Sequence, residues 1–154
     1  MAGIDTETIK KLRDETGAGV LDIKKALDEF SGDVGKAREH LVEKGKERAA
    51  KKSDRETGDG LIYSYIHNGG KVGSLIYVSC ETDFVAKTED FQNLCKEIAM
   101  QAATMEYSNE GELLEDVYIR DESKKMKDLI TETVAKVGEN IELKKIARFR
   151  VGEV

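Results

Sequence analysis

Hydrophobic positions along this chain change period three times, and each change marks a boundary. Over the first 45 residues they recur at helical spacing. Ile9 and Leu12 share one face of "TETIKKLRDET", with Thr6 as the expected N-cap. Gly17 and Gly19 in "TGAG" stop that helix. Val20, Ile23, Leu27 and Phe30 form the stripe of a second helix, which ends at Gly32. Val34, Ala37 and Leu41 mark a third, capped by Asp33 and ending near Gly45. Residues 46–58, "KERAAKKSDRETG", are almost devoid of apolar side chains and read as a charged, partly helical linker.

The period then becomes two. "LIYSYI" (61–66) and "VGSLIYVSC" (72–80) flank "HNGGK", where Asn68, Gly69 and Gly70 supply the positive φ angles of a tight hairpin turn. Helical spacing returns with Phe91, Leu94, Cys95, Ile98 and Ala102, capped by Thr88 or Asp90. A second long helix is predicted from about Ser123 to Val137, with Met126, Leu129, Ile130, Val134 and Val137 inward and Gly138 at its stop. Between them, residues 106–119 are acidic and show no clear period. In "IELKKIARFRV", Ile141, Leu143, Ala147, Phe149 and Val151 share a parity that breaks at Lys145 and Ile146, where a bulge is expected. The fold class is therefore α+β. A three-helix domain (1–45) and a charged linker (46–58) precede an α+β core (59–154), in which a small antiparallel sheet packs with helices.

Composition narrows the function. The chain has 154 residues, 39% hydrophobic and 36% charged, which suits a hydrated globular protein rather than a disordered one. No apolar run approaches the length of a membrane span, and "MAGIDTETIKKL" lacks the apolar segment of a secretory signal. Two cysteines fit a reducing compartment better than a disulfide scaffold. A cytoplasmic protein is expected. The net charge of −6 disfavours a nucleic-acid binder, because phosphate contacts need clustered cations. The cations do concentrate at Lys44, Lys46, Arg48, Lys51, Lys52 and Arg55, but such a run is usually a hydrated face. Residues 81–122 hold twelve acids against Lys87, Lys96 and Arg120, which suits a protein partner.

Catalytic patterns do not assemble. Cys80 and His67 lie far apart along the predicted hairpin, so a thiol–imidazole pair is disfavoured and a buried structural cysteine preferred. His40, His67, Cys80 and Cys95 lack paired zinc-ligand spacing. "NGGKVGS" joins two strands and lacks the phosphate-loop spacing. No catalytic residue, metal site or cofactor is expected. Two features remain. Leu21 follows the glycine loop and lies off the inward stripe, so it is either an ordinary exposed leucine or a docking knob. Phe84, in "CETDFVAKTEDF" (80–91), continues the parity of Ile76, Val78 and Cys80, which favours burial. The polar triplet Glu81-Thr82-Asp83 and the strand-to-helix position argue for outward display.

"LRDETGAGVLDIKKAL" (12–27) and "YVSCETDFVAK" (77–87) resemble two motifs of the elongation factor Ts family, in order and separation. "GGKVG" and "VGENIELKK" (137–145) are similar too, and only residues 103–122 match weakly. The resemblance implies a ubiquitin-associated-like N-domain and guanine nucleotide exchange on elongation factor Tu. The implied partner-binding residues are Leu12, Arg13, Val20, Leu21 and Lys24; many members carry methionines where Val20 and Leu21 stand. The implied nucleotide-release loop is Thr82, Asp83, Phe84 and Val85, its ring wedged near the partner's Mg²⁺ and nucleotide site. GDP and Mg²⁺ would be bound by the partner only, with no direct nucleic-acid or membrane contact. Long members carry a second core module that this chain lacks, so a homodimer is expected, with the C-terminal strand a plausible pairing edge. Two rival readings stand beside this: a ubiquitin-associated-like interaction module without exchange activity, and a ribosome- or RNA-associated protein using residues 44–55.

Overall fold

A computed structural model describes residues 3–154. Helix α1 (Thr6–Thr16) is capped by Asp5 rather than Thr6, because the Asp5 carboxylate accepts the Glu7 N–H at 3.2 Å. Gly17 ends it in the left-handed region, φ 69°, and α2 (Val20–Glu29) follows. Helix α3 (Val34–Ala50) begins as expected on Asp33, whose side chain accepts the Lys36 N–H at 3.1 Å. It does not stop near Gly45. Gly45 is buried, and a Cβ there would sit 3.1 Å from the Ala135 side chain, so the glycine serves close helix packing instead of termination. Leu12, Ala18, Ile23, Ala26, Leu27, Ala37 and Leu41 close the core of this three-helix unit.

Strands β1 (Asp59–His67), β2 (Val72–Cys80) and β3 (Ile141–Arg150) form an antiparallel sheet in the order β1-β2-β3. The predicted bulge is present: Tyr77 faces Lys145 while Val78 faces Leu143, which leaves Lys144 as the extra residue. One inserted residue reverses the alternation. Ile141 and Leu143 point inward, but beyond the bulge Ile146 takes the inner face. Ala147 and Phe149, expected inward, face solvent with Phe149 76% exposed.

Between β2 and β3 run α4 (Asp83–Ala86), α5 (Glu89–Thr104), α6 (Glu110–Glu115) and α7 (Met126–Val137). Thr88 caps α5 through the Phe91 N–H at 3.3 Å. The segment without a clear period is anchored by Leu113 and Tyr118, both buried in the core. α6 is capped by Asn109 and buries Leu113 completely, and one and a half turns are too few to display a periodicity. Helix α7 starts at Met126 instead of Ser123, because Ser123 is bound into a turn through the Asp121 carboxylate. Phe91, Leu94, Ile98, Met126, Ile76 and Val78 centre the second core, to which Ala49 of α3 also belongs. The three-helix unit thus packs directly on α7. A Cβ on Gly17 would lie 2.6 Å from the Ala135 carbonyl oxygen and the Lys136 Cα.

Candidate partner-binding site

β2 ends at Cys80 and the chain restarts as the single helical turn α4. Thr82 caps it, its hydroxyl accepting the Val85 N–H at 3.4 Å. Successive side chains on a helix diverge by about 100°, so one turn has one inner and one outer side. Val85 and Ala86 take the inner side and are buried. Asp83 and Phe84 are thereby turned outward, and Phe84 is 79% exposed. Strand parity, which favoured burial of Phe84, does not carry past Cys80 because the helical turn resets the phase. Behind α4, the Thr88 hydroxyl donates to the Val85 carbonyl at 2.7 Å, alongside the Thr88 N–H at 3.0 Å, and so reinforces the end of the short helix.

Polar contacts keep this loop in shape. The Lys87 ammonium donates to the Asp83 carboxylate at 3.0 Å, and that bond, aided by its charge, holds the Asp83 carboxyl below its usual range. The Glu139 carboxylate, from the α7–β3 turn, accepts the N–H groups of Glu81 (3.1 Å) and Thr82 (2.9 Å) and the Thr82 hydroxyl (2.7 Å). In return Glu81 accepts the Asn140 N–H at 2.8 Å. Glu139 and Asn140 carried no expectation as site residues. They lie in "VGENIELKK", a stretch similar to the family, but directly after the helix-stopping Gly138 and outside any hydrophobic period, so nothing in the pattern gave them a role.

The second set of candidates lies on α1 and α2. Arg13 and Lys24 are exposed, and Leu21 is 74% exposed. Val20, placed on the inward stripe by its spacing, is instead 38% exposed, because as the first residue of α2 it overhangs the end of the core. Leu12 is fully buried in the three-helix core. It cannot itself touch a partner, since its neighbour Arg13 takes the outward face of α1.

The two cysteines and His67 do not assemble into a thiol–imidazole pair. Burial pushes the Cys80 thiol up to about 11 and the Cys95 thiol up to about 12, and a thiol that keeps its proton is a poor nucleophile. The His67 ring lies at the hairpin turn, its Nδ1 2.8 Å from the Tyr65 hydroxyl, whereas Cys80 pairs with Asp59 at the other end. Among the described residues, no group of three or more His, Cys, Asp or Glu side chains is arranged to hold a metal ion. A cleft of about 870 Å³, lined by Tyr65, His67, Lys71, Met100 and Arg148, opens at the hairpin turn, the far end of β2 from Phe84. In the basic run, Lys46 pairs with Glu43 at 3.0 Å and Arg55 approaches Glu81 at 3.6 Å, so part of its charge is neutralised within the chain. No helix among the described residues is long and apolar enough to cross a membrane.

Residues 81–154 match the family model described as Elongation factor TS. Over nearly its whole length the chain is similar to proteins named Elongation factor Ts. It is 39% identical to that of Anaeromyxobacter dehalogenans strain 2CP-1, covering 99% of this chain and 90% of the relative. It is 42% identical to that of Thermoanaerobacter sp. strain X514, covering 97% and 96%, and 40% identical to that of Petrotoga mobilis, covering 97% and 99%. These alignments run over 195 to 198 positions against a chain of 154 residues, so the relatives carry residues with no counterpart here.

Proposed function

The chain belongs to the elongation factor Ts family, and on that premise we propose that it is a guanine nucleotide exchange factor for elongation factor Tu in translation elongation. Arg13, Val20, Leu21 and Lys24 dock on the GTPase, with Leu12 supporting them from the core. The loop Thr82, Asp83, Phe84 and Val85 enters beside the partner's Mg²⁺ and nucleotide site and promotes GDP release. The observation that carries this reading is Phe84, a large apolar side chain left 79% exposed on a turn that polar contacts hold in place.

Linkage sets the energetics. A factor that prefers the nucleotide-free partner weakens nucleotide binding by the same ratio that nucleotide weakens its own binding. Each tenfold change corresponds to about 1.4 kcal/mol. Burying a phenylalanine side chain contributes roughly 1.5–3 kcal/mol, so Phe84 supports one to two decades of preference. Larger effects need the partner's Mg²⁺ ligation disturbed as well, since that ion neutralises phosphate charge. In this reading no bond is made or broken: GDP and Mg²⁺ belong to the partner, and this chain acts only by binding. We also propose that two copies associate, with the bare face of the sheet as the meeting surface.

The test is release of fluorescent GDP from elongation factor Tu at increasing concentrations of this protein. Release accelerates with wild type. Phe84→Ala stays folded, still binds the GTPase and loses most of the acceleration. No acceleration by wild type at micromolar concentration rejects the proposal.

A further inference from the structure

Asp83 and Phe84 receive no side-chain hydrogen bond from beyond Lys87 among the described residues. The loop is held instead one step upstream, by a residue 57 positions further along the chain. Resting on the exchange reading above, we infer that Glu139 is the positioning residue of the release loop, its carboxylate fixing Glu81 and Thr82 so that α4 presents Phe84 in the geometry the partner accepts.

The contacts are specific. One carboxylate oxygen accepts both backbone N–H groups, and the other accepts the Thr82 hydroxyl. Hydrogen bonds to an ionised acceptor are about twice as strong as neutral ones. Thr82 is the N-cap of α4, so its orientation sets the direction of the turn that carries Phe84. Glu139 is itself immobilised on both sides. Gly138 closes α7 in the left-handed region, φ 78°, with its N–H on the Val134 carbonyl at 2.9 Å. Asn140 is buried, and its side-chain amide donates to the carbonyls of Arg55 at 2.8 Å and Ser53 at 3.3 Å. Those two residues lie just beyond α3, the last helix of the docking unit. The turn at residues 138–140 therefore ties the loop to the frame that carries the other partner-binding surface. Pre-organisation of this kind lowers the ordering cost that binding must overcome.

The test compares Glu139→Ala, Glu139→Gln and Phe84→Ala in the release assay with elongation factor Tu. Glutamine keeps an oxygen for the two N–H groups and an amide that can donate to the Thr82 hydroxyl, so it restores the geometry without the charge. Glu139→Ala lowers the saturating release rate by about tenfold, while the half-saturating concentration moves less than about threefold because docking persists. Glu139→Gln recovers most of the rate. Amide exchange at Glu81 and Thr82 speeds up in the alanine variant and not in the glutamine variant. If Glu139→Ala fails to fold, Thr82→Val removes the hydroxyl contact to Glu139 together with the cap on the Val85 N–H and carries the same expected fall in saturating rate. Wild-type rates in Glu139→Ala, or in Thr82→Val where that stands in, overturn the inference. So does a loss that glutamine does not rescue. If Phe84→Ala also releases GDP as fast as wild type, the exchange reading itself has failed, and the two failures are thereby told apart.

Discussion

At the scale of single residues, Leu12 and Leu21 look alike in composition and have opposite fates. Leu12 is fully buried and Leu21 is 74% exposed. Leu12→Ala opens a cavity in the three-helix core and should cost about 2–5 kcal/mol in a urea titration. Leu21→Ala should change stability by less than about 0.5 kcal/mol. It should nonetheless weaken binding to elongation factor Tu by about fivefold or more if Leu21 is an anchor of the docking surface. A Leu21→Ala variant that binds as wild type removes Leu21 from that surface. Helical spacing separated these two leucines in the sequence, because α2 has a continuous stripe that excludes Leu21. Phe84 was not separable in that way. Its strand parity pointed inward, and only the capped turn at Thr82, built by residues near 139, turns it out. Glu139 lay in a stretch that resembles the family, yet its role was illegible, since its contacts join positions remote in sequence and leave no local period.

At the scale of elements, helices with long stripes and the hairpin were legible, whereas their ends and junctions were not. α5 follows its apolar spacing closely, and α2 does so after its first residue, Val20. The stop expected at Gly45 failed because glycine has two uses, terminating a helix and admitting a neighbour's backbone or side chain, and only packing tells them apart. The bulge was visible as a break in alternation at Lys145 and Ile146, yet its place at Lys144 and its consequence for Phe149 were not, because only the pairing with β2 shows which residue is extra and hence where the parity flips. Gly17 combines both glycine roles. It closes α1 in the left-handed region, its N–H 2.8 Å from the Arg13 carbonyl, and it lies against the backbone of α7. Gly17→Ala meets the left-handed penalty of about 1–2 kcal/mol and a 2.6 Å approach to α7 backbone atoms. It should lose more than about 2 kcal/mol of stability by denaturant titration. A loss confined to the left-handed term would mean that the three-helix unit is not seated on α7 as described.

At the scale of the whole molecule, the sheet has one face covered by helices and another that nothing among the described residues covers. Antiparallel sheets commonly place polar side chains on such a face. Here Ile62, Ile66, Leu75, Phe149 and Val151 are all exposed, and the first four stand at outward positions of the three strands. The free edge of β3 is a less suitable meeting place, because the Ile146 N–H already donates to the Glu110 carboxylate at 3.3 Å. Face-to-face packing of two copies buries the apolar set and leaves the Phe84 loop, beyond the end of β2, outside the strand pairing. Each copy carries a net charge of −6, so the copies repel and screening by salt should strengthen association. That sign differs from RNA binding through the basic run, which weakens steeply as salt rises. Sedimentation equilibrium should therefore report a dimer whose dissociation constant falls between low and moderate salt. Leu75→Lys places a charge in the middle of the face on a half-exposed side chain, so the fold should persist by circular dichroism while the dimer is lost. A wild-type chain that sediments as a monomer at tens of micromolar, or a Leu75→Lys variant that dimerises as tightly as wild type, assigns that apolar face to something other than a second copy.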